Sequence, residues 1–528
     1  MSKVTTEWLS DSASIKGILV EATASIYDTV NVQWVETKLY LSNIGYMTSD
    51  SLTSFNPIIT GGLQLTESLS LEGTISMSFG DISVNNPNGE LDSWLDASKY
   101  IWVNRAIKVY IGDPRWVCAS ISDIRADFEL VFSGLISDVD SSARETLNLK
   151  IRDSLERLNT PLTEDKIGTY GVCAGGQTNQ DTIKPIIFGE VFNMSPLLID
   201  PSQLEYLYCN VASSTLSTER IIEIRDNGVP IYNVDNTSNV LVNLAKGTFK
   251  LLKTPIGAIT ASIQGINANI NLTAKTLSPQ YTNTVTNIIA TICTQYGNTA
   301  TRLSIAELDS TNLIPFNLAN PVHVGVCILD RQNVLAVCQN LLSSISAQLY
   351  ITKTGLLQIL KVGVPTSDPI AYITNDDILH HSLSIVNKLA VMPSTKLGYC
   401  KNWTVQTNLI SNIPAAHKDS FGEEWLSVTI IDSATTSLYS LSTDPVQKDT
   451  LLVDNTATNV EANRLTNYYK VARVVYKFTG TAKLFTLKLG QRVSLTHNRF
   501  NLNNGKLGQV ISLTYNWLAG TIEVQVLV

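Results

Sequence analysis

Period-two alternation of apolar and polar residues dominates the first 165 positions. IKGILVEATA (15–24), VETKLYLS (35–42) and LQLTESLSLEGTISMSFG (63–80) alternate or form short apolar runs bounded by turn residues, as half-buried strands do. RAIKVYIGD (105–113), FELVFSGLISDVD (128–140) and ETLNLKIRD (145–153) continue the pattern, and the last two read as a hairpin. Between them NNPNGELDSW (85–94) is a turn cluster, where Pro87 presets φ and Asn88-Gly89 tolerates positive φ. SLERLNTPL reads as a short helix stopped before Pro161.

A glycine-rich loop, IGTYGVCAGGQTNQ, opens a second stretch over 166–280 with strands KPIIFGEV, LEYLYCNVA, IIEIRDNGVPIYNV, TFKLLKTP and ITASIQGINANINL. Asn227-Gly228 marks a hairpin there. The period then changes. In NTVTNIIATICTQYG, Val285, Ile288, Ile289, Ile292 and Tyr296 share one helical face before a Gly297 cap. NVLAVCQNLLSSISA repeats the stripe, and QLYITKTGLLQILKV folds back at Thr354-Gly355, so 281–378 reads as a small α+β module. Residues 379–528 return to strands, apart from a short helix over 459–472 and a polar Ser/Thr/Asp-rich insertion or long loop at about 411–455. The expected domains are therefore 1–165, 166–280, 281–378 and 379–528.

Two distant hairpins are alike. ISDVDSSARETLNLKI from Ile136 and ISLTYNWLAGTIEVQV from Ile511 align without a gap at an offset of 375 positions. Thr146 matches Thr521, and Leu147, Leu149 and Ile151 match Ile522, Val524 and Val526. Gly134 and Gly508 near the two hairpin starts fall one position out of register. Upstream, RAIKVYIGD is similar to QRVSLTHNR, each a strand followed by a polar turn. Two similar β units around a different middle point to a mainly β fold with a smaller α+β part: two related β-barrels in one subunit, with inserted middle domains.

Composition narrows the function. Of 528 residues, 16% are charged and the net charge is −8, so the chain lacks the Lys/Arg clustering that grips phosphates. The seven cysteines, Cys118, Cys173, Cys209, Cys293, Cys327, Cys338 and Cys400, are odd in number and have no C-x-x-C spacing. They read as free thiols of a reducing compartment. The N-terminal MSKVTTEWLSDSAS has no apolar core of a signal peptide, and no run approaches the ~18 apolar residues of a membrane span.

No catalytic, cofactor-binding or metal-binding residue stands out. His380 and His381 are adjacent and would point to opposite faces of a strand; His323 and His417 have no neighbouring ligand at metal-binding spacing. Cys173 in GVCAGG has no histidine near it in sequence and reads as part of a connector. Asp138, Asp140 and Ser142 start like a calcium loop, but Ala143 replaces its glycine and Leu149 its closing acid. His497 follows a strand inside SLTHNRFNLNNGKLGQVISLTYNW, where asparagines and glycines serve a reversal.

NNPNGELDSWL, RAIKVYIGD, DFELVFSGLISDV and LNLKIRDSLERLNTPL, in that order, resemble the hub proteins of bacteriophage tails: the central hub of contractile baseplates and the N-terminal hub region of long-tailed phage tip proteins. KPIIFGEVFN, 333–365 and 489–517 agree in order, so the resemblance covers most of the chain through spacing rather than one diagnostic motif. It implies two related tube-type barrels per subunit and a homotrimer whose six barrels form a pseudo-six-fold ring. The implied partners are the tail tube or distal tail protein, the tape-measure end, and a central fibre or other tip proteins. DNA would pass through without specific binding. The implied place is the virion tail tip or baseplate, assembled in the host bacterial cytoplasm without stable membrane insertion. A receptor-binding tip adhesin is the alternative, and a cell-wall hydrolase a weaker one.

Overall fold

Twelve strands of five residues or more carry the part of the chain where alternation is strongest. They are β1 (Gly17–Asp28), β2 (Gln33–Ser42), β3 (Gln64–Ser68), β4 (Phe79–Asn85), β5 (Arg105–Gly112), β6 (Glu129–Ala143), β7 (Thr146–Asp153), β8 (Ser384–Leu389), β9 (Arg473–Thr481), β10 (Arg492–His497), β11 (Leu502–Asn516) and β12 (Thr521–Leu527). The structure is a computed structural model. It describes every residue except 1, 12, 62, 72–78, 169–180, 212–214, 234, 364–367, 408, 410–412, 414 and 443, and the side chains of 6, 10, 142, 415, 416 and 419.

These strands form one sheet in the order β8-β9-β12-β11-β3-β4-β7-β6-β5-β1-β2, and β10 pairs the first half of β11. Four short strands, Tyr46–Met47, Ser54–Pro57, Tyr100–Ile101 and Ala371–Ile373, complete its sixteen. The sheet belongs to one compact unit, residues 1–157, 348–390 and 472–528. The fold is mainly β, as alternation predicts. The two repeated hairpins are not set in separate closed barrels among the described residues: β11 of the second hydrogen-bonds β3 of the first. A single apolar cluster explains why. Ile82, Val84, Leu147, Leu149 and Ile151 share it with Leu513, Tyr515, Ile522, Val524 and Val526, all buried. Splitting the sheet at β3 would expose one side of that shared core.

The repeat holds in the hydrogen-bond registers, with a one-residue correction. β7 and β12 match at an offset of 375, since Leu149 pairs Val139 and Val524 pairs Leu513. That pairing sets β6 against β11 at 374. Ile136 corresponds to Val510, and Ser137 and Ile511 are both skipped at a bulge in the same place. Gly134 and Gly508, out of step in the gapless alignment, now coincide. Each packs against a carbonyl: a Cβ would lie 2.2 Å from the Arg152 oxygen at Gly134 and 2.8 Å from the Leu527 oxygen at Gly508. Alternation alone could not see the slip, because a bulge shifts register without breaking the apolar pattern.

The second compact unit, residues 158–347 and 391–471, mixes small sheets with helices. Its five-stranded sheet runs in the order Val229–Asn233, Thr218–Asp226, Ile259–Ile266, Ile186–Met194, Gly325–Ile328. Asn227 and Gly228 take φ of 50° and 84°, the left-handed pair of a type I′ hairpin. The predicted helices stand at Val285–Gln295 and Val334–Ser343, each with a buried apolar stripe. Differences gather in the polar region. Within 411–455, read as insertion or loop, lie the strands Leu426–Ile431 and Gln447–Asp449, which sandwich Ser394–Tyr399. The helix expected over 459–472 is Asn455–Tyr469, started earlier by the Asp454 side chain accepting from Thr456 N.

Candidate functional site

Across β9, β12, β11, β3, β4, β7 and the end of β6 the sheet has one apolar and one polar face, because the strands alternate and the pairings keep the alternation in step; at β1 and β5 the second face is also covered, by an apolar cluster that includes Leu19, Tyr110 and Phe128. On the polar face Thr481, Thr521, Asn516, Gln64, Asp81, Lys150 and Asp138 stand side by side across β9, β12, β11, β3, β4, β7 and β6. The next row is Thr479, Glu523, Thr514, Thr66, Phe79 and Arg152. The rows cross from one repeat to the other without a break. At the crossing Thr66 and Thr514 hydrogen-bond through their hydroxyls at 3.1 Å.

The charges on this face nearly cancel. Lys150, Arg152 and Lys477 oppose Asp81, Asp138, Asp140 and Glu523. Lys150 bridges Asp140 at 2.5 Å and Lys477 bridges Glu523 at 2.7 Å. Asp140 lies below the usual carboxylate range because Lys150 and Asn148 hydrogen-bond it. A shallow open groove of about 430 Å³ lies on the face, lined by Phe79, Asp81, Ser137, Lys150 and Arg152 among others. It lacks the apolar enclosure of a small-molecule pocket. A surface of hydroxyls, amides and paired charges offers a polyanion no net attraction.

Beneath the crossing, on the core side, sits a buried polar cluster. Glu67 of β3 is buried opposite Leu513, and burial raises its carboxyl above the usual value against the pull of Lys353 and a Tyr350 hydrogen bond. The Lys353 ammonium lies 3.8 Å over the Tyr515 ring and 5.4 Å from that of Trp517, and its enclosure lowers its pKa. Gln348 exchanges two hydrogen bonds with the Ser70 backbone, at 3.0 and 3.1 Å, fastening the hairpin that carries Lys353 to the chain after β3. Sequence reasoning passed over Glu67 and Lys353. Glu67 stands at an inward position of its alternating strand, and a charge there is the signal that could have flagged it.

The histidines are dispersed. His380 and His381 lie in a turn, not on a strand, with rings 3.8 Å apart and His381 at φ 61°. His323 bridges Thr284 through its backbone, and the His417 ring lies 6.4 Å from Phe421. His497 ends β10, and its Nδ1 accepts from the Arg499 backbone N–H at 3.0 Å; burial and Arg499 lower its pKa. It fixes a turn in which Phe500 and Asn501 are both left-handed. Asp138 and Asp140 lie on β6, opposite β7 residues; the Ser142 side chain and Cys173 lie outside the described residues. Six described cysteines are free. Burial raises the Cys209 thiol to about 12 and that of Cys400 to about 11, which keeps both protonated and weakly nucleophilic. Among the described residues no three His, Cys, Asp or Glu gather as a metal site, and no described helix is long and apolar enough to cross a membrane.

No protein-family model matches the chain, and no curated protein matches it in sequence. Solved structures resemble it along its length. A tail protein from Neisseria meningitidis MC58 is 8% identical with a TM-score of 0.38, covering 97% of each chain. The 43 kDa tail protein of prophage MuSo2 from Shewanella oneidensis is 8% identical with a TM-score of 0.37, covering 97% of this chain and 98% of that one. A chain of the virion of a native gene transfer agent particle is 12% identical with a TM-score of 0.41, over 65% of this chain and 83% of that one.

Proposed function

We propose that the chain is a structural hub of a phage tail tip or baseplate. Three copies would close a pseudo-six-fold ring from six repeats, joining the tail tube to the tip and lining the channel for DNA. The observation that carries this reading is the pair of polar rows running unbroken across both repeats. A sheet that is dry on one side and neutral and polar on the other suits the wall of a water-filled passage. Near-neutrality fits this role, since a wall rich in unpaired Lys and Arg would hold phosphates and stall the DNA.

In this reading the tail tube or distal tail protein, the tape-measure end and a central fibre or other tip proteins are the neighbours. The chain works in the virion after assembly in the bacterial cytoplasm, and its work is mechanical, not catalytic. Sedimentation of the purified chain, with duplex DNA added at physiological salt, tests it. A trimer that leaves DNA unbound is expected. A chain that stays monomeric at all concentrations, or binds DNA with a steep salt dependence, contradicts it.

A further inference from the structure

The sheet contains one junction between repeats and leaves its counterpart open. In the closed junction, residues 512–516 of β11 pair antiparallel with Gln64–Ser68 of β3. They can do so because β10 covers only the first half of that edge of β11, through Gln509. In the first repeat β5 likewise covers only the first half of the equivalent edge of β6, through Ile136. Among the described residues no strand pairs this edge of β6 over residues 138–143.

The strand equivalent to β3 can also be found. β4 and β9 correspond at an offset of 396, because Ile82 pairs Leu149 while Phe478 pairs Val524. β3 is the further neighbour of β4, and β8 the further neighbour of β9. Gln64, Leu65 and Thr66 thus correspond to Ser384, Ile385 and Asn387, with Val386 at a bulge. Among the described residues nothing pairs the outer edge of β8, and residues 384–388 are all exposed. One repeat lacks a strand where the other has an unused one.

We propose that the outer edge of β8 in one copy pairs antiparallel with residues 138–143 of β6 in the next. The register copies the internal junction: Asp138 opposite Leu389, Val139 opposite Lys388, Asp140 opposite Asn387. The interface is head-to-tail, so it generates a ring and not a two-fold dimer. The register also keeps the faces in step: Asp140 and Asn387 share one face of the extended sheet, and Val139 and Lys388 share the other. The open edges are also a hazard that a second copy removes.

This inference rests on the ring proposed above, and the experiment separates the two. The full chain carrying Asp140→Cys and Asn387→Cys is oxidised, with each single variant as the background control. Sedimentation of the same samples before oxidation reports assembly. Trimers that become covalent ladders only in the double variant support the junction. Trimers whose double variant stays at the single-variant background overturn the junction and leave the ring standing. Absence of any trimer overturns both. Val139→Cys with Lys388→Cys, the neighbouring opposed pair, guards against a misfolded first variant: it also makes the trimers covalent. Trimers in which neither pair cross-links overturn the junction.

Discussion

Gly134 and Gly508 are the residues at which the repeat becomes physical. Each lets a neighbouring strand's carbonyl approach where a methyl group would collide. Alanine at either position must push the hairpin apart, at a cost of about 1–3 kcal/mol. Denaturant unfolding of Gly134→Ala and Gly508→Ala measures it, and a neutral result at both would remove the structural reason for the pair. Both glycines were visible in the sequence, yet one position out of step, because the bulge at Ser137 and Ile511 leaves no mark on an alternating pattern. Glu67 was not legible as a partner of Lys353, since nothing local links two positions so far apart. Its raised carboxyl has a defined sign. The native state holds this proton more tightly than the unfolded chain, so the cost of the buried charge is full above the folded pKa. It fades as pH falls from there towards 4.5. Wild type therefore gains stability relative to Glu67→Gln as pH is lowered through that window; the opposite slope in urea melts would contradict the assignment.

At the scale of elements, alternation located most strands and the two apolar stripes located the helices Val285–Gln295 and Val334–Ser343. What it could not supply was adjacency. β3 and β11 each read as a strand, but their pairing across the chain depends on which edges other strands leave free. Within the polar stretch 411–455 the strands were not legible for another reason: one as short as Gln447–Asp449 gives too few residues for a period to show. The junction itself is open to test. Thr66→Val removes the hydroxyl pair between repeats and keeps the shape, and is expected to cost about 1 kcal/mol. The double change with Thr514→Val should cost less than the sum of the two single changes, because both report one bond.

At the scale of the whole molecule, the candidate site is a surface made of rows, and no short motif encodes it. The sequence carries its ingredients: low charge, many Ser, Thr and Asn, and a duplicated hairpin. The rows exist only once the registers align the polar positions of seven strands. Gln64→Lys, Thr66→Lys and Thr514→Lys together would turn the middle of the face basic. Fluorescence anisotropy should then show salt-dependent DNA binding absent from the wild type, losing strength steeply as salt rises. Equal binding by both proteins would mean that neutrality of the face has no bearing on DNA.

The claim beneath all of this is that three copies close a ring with the polar face inside. Electron microscopy of the assembled chain tests it most directly. The account predicts three-fold particles whose central opening is walled by the strands carrying Gln64, Thr66 and Thr514, with β8 of each copy against β6 of the next. Particles of another symmetry, or a ring that turns this face outward, would contradict it.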